Sequence, residues 1–182
     1  GSELTLDARQ FSRYSSPKEV AQGWGLPNGW EDRGIRLPVL TTSAQGYRDL
    51  CHLMSEYTLT HDAQESPAHG LGNIAQMGDI RILTGGSRGP LRRILHAQGH
   101  TQADRFLKDL IALFGRERVL LESVLMPGQD DLGRELAELA QANCLTLVAS
   151  AAPVMAYPQS KYRADLLCSL RQGRSLDDLQ YR

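Results

Sequence analysis

A chain of 182 residues and 20.1 kDa, with 41% hydrophobic and 23% charged residues, has the size and make-up of one soluble globular domain. That excludes a multi-module enzyme and a disordered or collagenous chain. Twenty Lys and Arg against 21 Asp and Glu leave a net charge of −1, so the global positive field of an autonomous nucleic-acid binder is absent and any such contact must be local.

The residues from Glu3 to Leu6 alternate as a short strand. Residues 7–36 then lack periodicity and carry many breakers, among them Pro17, Gly23, Gly25, Pro27 and Gly29. An irregular insertion or mobile loop is expected there, with Trp24 and Trp30 pinning it to the body or, alternatively, forming a contact surface. Leu37 to Thr42 reads as a buried strand, and Ser43 is suited to cap a helix running to about Tyr57 with Tyr47, Leu50, Cys51 and Met54 on its apolar face. A polar connection leads to a strand at Ile80 to Thr84, a glycine-rich turn, and a short helix opened by Pro90.

Thr101 and Asp104 resemble a capping arrangement for the next helix, whose stripe of Phe106, Leu107, Leu110, Ile111 and Phe114 ends at Gly115. Strands at Val119 to Leu125 and Cys144 to Ala149 flank a helix carrying Leu132, Leu136, Leu139 and Ala140. A final helix is expected from about Lys161 to Arg171. Five strands alternating with helices give the α/β class, with one domain over 1–182 and a mainly parallel sheet. Five strands are too few to close a barrel, so the sheet should stay open, with an exposed edge prone to homodimer formation.

The longest apolar runs, Val119 to Leu121 and Leu145 to Ser150, are far shorter than the roughly 20 residues that span a bilayer. No basic-then-apolar leader is present, so a cytoplasmic setting without membrane contact is expected. Cys51, Cys144 and Cys168 are widely separated and have no CxxC spacing, which makes them reduced core fillers.

The turn from Thr84 to Arg93 is the most suggestive stretch for chemistry. A glycine-rich turn exposes backbone N–H groups, the following helix adds partial positive charge, and Arg88, Arg92 and Arg93 add full charges. It lacks the Gly-Lys-Ser/Thr of a phosphate-binding loop of the Walker type and the Gly-x-Gly-x-x-Gly fingerprint. The plain alternative is a tight turn on a solvated basic face. His96 and His100 have i, i+4 spacing, but Gly99 breaks the helix between them, so exposed polar residues are expected there; His52, His61 and His69 have no zinc-site spacing. Glu122 stands in an apolar strand beside Ser123, where solvation at the strand end is the simpler expectation than acid–base work. Ser66, Ser87 and Ser123 lack a nucleophile elbow.

Three segments carry a family resemblance. Val39-Leu-Thr-Thr-Ser-Ala-Gln-Gly-Tyr-Arg-Asp-Leu-Cys-His-Leu-Met-Ser, Ile82-Leu-Thr-Gly-Gly-Ser-Arg-Gly-Pro-Leu and Asp165-Leu-Leu-Cys-Ser-Leu-Arg-Gln-Gly-Arg-Ser-Leu-Asp-Asp follow one another at appropriate distances. Together they resemble blocks of the PHP (polymerase and histidinol phosphatase) domain in bacterial DNA polymerase III alpha subunits. The Gly85-Gly86 pair resembles the error-prone, damage-tolerance branch, and Gly1-Ser2-Glu3 resembles a segment well inside the domain, where this chain is therefore expected to begin.

The resemblance implies a partial (β/α) barrel missing its N-terminal strands and a place in DNA replication or repair synthesis. The expected partners are the rest of the polymerase polypeptide, repair and replication proteins, and DNA. Magnesium serves the parent polymerase and zinc or manganese the active PHP domains. In this chain Ala152 and Val154 stand where the family has an Asp-x-His ligand pair, and of the metal ligands only Glu3 is matched. The resemblance thus implies a scaffold with no catalytic residue and no cofactor of its own. A metal-dependent PHP phosphoesterase or exonuclease and a stand-alone protein- or DNA-binding module are the alternatives.

Overall fold

The computed structural model describes residues 1–7, 10, 11, 14, 34–60, 68–124, 130–151, 155–173, 175 and 176. Five strands form one sheet in the order β1 (Ser2–Leu6), β2 (Ile35–Thr41), β3 (Ile80–Leu83), β4 (Val119–Val124) and β5 (Thr146–Ser150). The helices are α1 (Ala44–Thr60), α2 (Leu71–Ala75), α3 (Pro90–Gln98), α4 (His100–Phe114), α5 (Asp130–Ala142) and α6 (Lys161–Gln172). The sheet is open and the class is mixed α/β.

The expectation of a mainly parallel sheet is corrected to an evenly mixed one. β1 pairs antiparallel with β2 and β2 with β3, and only β3–β4 and β4–β5 are parallel. The long stretches between β1 and β2 and between β2 and β3 can return the chain to either end of the sheet. A helix between two strands permits a parallel crossover but does not require one.

Alternation along the strands sends one set of side chains into the core. The register places Leu4 opposite Leu37, Leu6 opposite Ile35, Val39 opposite Ile82 and Ile82 opposite Val119, so these residues share a face. Leu91, Ile94, Phe106, Leu107 and Leu110 from α3 and α4 cover it, and all belong to one buried cluster. The start of the 7–36 segment joins the same cluster. Phe11 and Tyr14 are buried, with their rings 5.8 and 5.2 Å from that of Phe106, and the Tyr14 hydroxyl donates a hydrogen bond to Asp109 Oδ2. The remainder of that segment, with Trp24 and Trp30, lies outside the described residues.

Ser43 caps α1 as its chemistry predicts, its Oγ accepting from the Gly46 N–H at 3.1 Å and donating to Asp79 Oδ2 at 2.7 Å. The apolar face expected of that helix is not buried as a whole. Leu50 is in the core, whereas Tyr47 is 58% exposed and Cys51 and Met54 are exposed too. Only one edge of the helix meets the sheet, so three of the four periodic positions face outward.

The cap of α4 is likewise corrected. Gly99 precedes the helix, while Asp104 accepts from Lys108 Nζ at 2.6 Å and Asn143 Nδ2 at 2.8 Å, tying α4 to the end of α5. None of the cysteines is a core filler. Cys51 and Cys144 are exposed, Cys168 is half-buried and none of the three is in a disulfide. Cys144 sits in the turn before β5 at φ 52°, outside the strand assigned to it from the sequence.

Candidate functional site

The turn after β3 is built by close backbone contacts. The Thr84 N–H donates to Leu120 O at 3.0 Å, and its buried Oγ1 accepts from the Glu122 N–H at 3.0 Å, which joins the ends of β3 and β4. Gly85 has φ 80°, and a Cβ at Gly89 would lie 2.3 Å from Thr84 O. Only glycine suits both positions: one needs left-handed backbone and the other has no room for a side chain. The Arg36 N–H donates to Arg88 O at 2.9 Å, so the start of β2 supports the turn from the side.

Pro90 opens α3 as expected, and Gly89 before it supplies no capping side chain. Arg93, in the second turn of the helix, is 6% exposed. Its Nη2 donates to Gly34 O at 3.1 Å, while its Nε–H is buried without an acceptor. Burial, and secondarily the charge of Arg88, lowers the Arg93 pKa to about 10. Desolvation also lowers that of half-buried Arg92. Arg93, with its value near 10, stays cationic at neutral pH.

Of the three arginines singled out by the sequence, Arg88 and Arg93 are close enough for each to feel the other's charge. Among the described residues neither forms an ion pair, and Arg92 already has an interaction partner. Sequence reasoning missed the contribution of the Gly34 carbonyl and the Arg36 amide. Nothing in the composition of that stretch could reveal it, because backbone groups join a site through topology alone.

The other singled-out residues do not gather. His96 and His100 are exposed, and His52 is a solvated side chain 3.9 Å from Glu56. His69 is buried, its ring 5.1 Å from that of Tyr57. Glu122 is 8% exposed, which corrects the expected solvated strand end, because the turn after β3 packs over that end of β4. Among the described residues no three His, Cys, Asp or Glu side chains converge on a metal-binding geometry. Glu3 is exposed on β1 opposite Pro38, so the residues described do not fit the several-ligand centre of an active PHP domain. Ala152 and Val154, along with His61 and Ser66, lie outside the described residues. No described helix is long and apolar enough to cross a membrane.

No family model matches the chain. Its sequence is similar to that of an error-prone DNA polymerase of Cutibacterium acnes, 33% identical over 164 residues, which are 85% of this chain and 14% of that protein. An error-prone DNA polymerase of Nocardia farcinica is 31% identical over 180 residues, 93% of this chain and 15% of its own length. One from Mycolicibacterium paratuberculosis is 30% identical over 148 residues, 79% of this chain and 14% of its own length. The chain thus spans about a seventh of the length of the curated relatives it matches.

Proposed function

We propose that this chain is a non-catalytic structural module of the PHP type, related to damage-tolerance DNA polymerases, whose role is to hold neighbouring polymerase elements rather than to carry out chemistry. The observation behind this reading is similarity that runs along 79 to 93% of the chain yet touches only about a seventh of each error-prone polymerase. A conserved catalytic centre is not required for such a role. A packed sheet with a stable helical layer suffices to position what docks on it.

The inert character follows from side-chain chemistry. Ala152 and Val154 offer no lone pair to a metal, and Glu3 alone cannot assemble a phosphoesterase centre that needs several oxygen or nitrogen ligands around two or more ions. Replication or repair synthesis is the process to which such a module belongs, with the polymerase polypeptide as its partner.

The test is hydrolysis of p-nitrophenyl phosphate and of labelled single-stranded DNA by the purified chain, with zinc or manganese added. The expected result is no rate above the metal-only control. Metal-dependent turnover lost in a Glu3→Gln variant would overturn this reading and install the phosphoesterase alternative.

A further inference from the structure

We propose that the turn Gly85–Gly89, the first turn of α3 and the guanidinium groups of Arg88 and Arg93 form a binding site for a phosphate group, carried on a nucleic-acid backbone or on a free phosphate ester. This inference goes beyond the scaffold role and does not depend on it.

The helix supplies the first element. Nine-residue α3 starts from Gly89 and Pro90, neither of which has a side chain able to cap it. Its positive end therefore has no side-chain acceptor of its own. An oxyanion in front of such an end meets backbone N–H groups and the helix dipole together.

Arg93 supplies the second, independent element. Helical side chains lean back toward the N-terminus, which carries this one over Gly89 and the turn. Its Nη2 reaches Gly34 O, two residues from the Arg36 amide that holds the carbonyl of Arg88. In that position the side chain is more than nine-tenths buried, and its Nε–H has no acceptor. A guanidinium presents its donors as a planar fork matched to two oxygens of one phosphate, and a buried donor without an acceptor is costly to retain.

Charge supplies the third. The charge of Arg88 acts against that of Arg93, and among the described residues no carboxylate forms an ion pair with either. Two like charges held together, one of them desolvated, raise the free energy of the empty site, and an anion placed between them lowers it. Two cations and a helix end match the one to two negative charges of a phosphate group. The glycines at 85 and 89 let the turn fold tightly on itself, a Cβ at either meeting backbone atoms within 2.7 Å, and so hold Arg88 and the start of α3 in one place.

The experiment measures fluorescence anisotropy of a labelled oligothymidylate at low salt, with competition by inorganic phosphate. It is paired with thermal denaturation in phosphate against chloride at matched ionic strength. Arg88→Ala removes a half-exposed side chain and should weaken the interaction about tenfold or more. Arg93→Lys keeps the charge but loses the fork, and should weaken it several-fold. Arg116→Ala, an exposed arginine before β4 at the other end of the parallel strands, should change nothing.

Oligothymidylate binding that phosphate competes away assigns the site to backbone phosphate. Stabilisation by phosphate with no oligonucleotide binding assigns it to a free ester. Absence of both overturns the proposal, as does an Arg88→Ala variant with undiminished affinity or an Arg116→Ala variant weakened equally.

Discussion

Single residues do unequal work in this molecule. Tyr14 is buried against Phe106 with its hydroxyl on Asp109, and it anchors the start of a stretch whose composition pointed to tryptophans as the pins. Aromatic content alone could not say which ring would find a hydrogen-bond acceptor and an aromatic neighbour. Tyr14→Phe keeps the ring and loses a bond to a carboxylate, so urea denaturation should show a loss of about 2 kcal/mol. Gly89→Ala places a methyl group 2.3 Å from a backbone oxygen in a turn that cannot open without breaking the β3–β4 join. A loss of about 2 kcal/mol or more is expected in the same measurement. Ser43 was legible because its role depends on its own neighbours; Arg93's contact with Gly34 was not, since the two are far apart in the chain.

Elements show where local pattern and tertiary packing part company. The stripe on α4 was readable because all of its main positions, Phe106, Leu107, Leu110 and Phe114, bury against one sheet face. The same periodicity on α1 misled, since that helix presents one edge to the sheet and leaves Tyr47 and Met54 in solvent. The last helix repeats the lesson more strongly. Leu167 is 65% exposed, with Leu166 and Leu170 exposed as well. Leu107→Ala should therefore cost about 2 to 5 kcal/mol by the cavity it leaves. Leu167→Ala should stay within about 0.5 kcal/mol, with thermal denaturation distinguishing the two.

The α4–α5 join has a pH signature. The Lys108 hydrogen bond, then that of Asn143, holds the Asp104 carboxyl below the usual carboxylate range. A carboxylate whose folded pKa is depressed adds stability above its unfolded value and loses it as pH falls through the folded one. Asp104→Asn should cost up to about 1 kcal/mol at pH 7, because the pair is partly solvated. Its difference from the parent should narrow below about pH 4, as stability curves at successive pH values would show.

At the scale of the whole molecule, element types and order were readable from hydrophobic period and breakers, and strand directions were not. β1, β2 and β3 run antiparallel because each long connection brings the chain back into the sheet at the end where the previous strand left it, which no local pattern encodes. The arginine turn was legible as chemistry but incomplete as a site, because its supporting groups come from the backbone at the start of β2.

The proposed scaffold role requires a fold that binds no catalytic metal. Elemental analysis of the purified chain, after equilibration with zinc and manganese followed by desalting, tests that most directly. Less than about a tenth of an equivalent of either metal per chain is expected. Two or more equivalents, displaced by chelator and lost in Glu3→Gln, would contradict it.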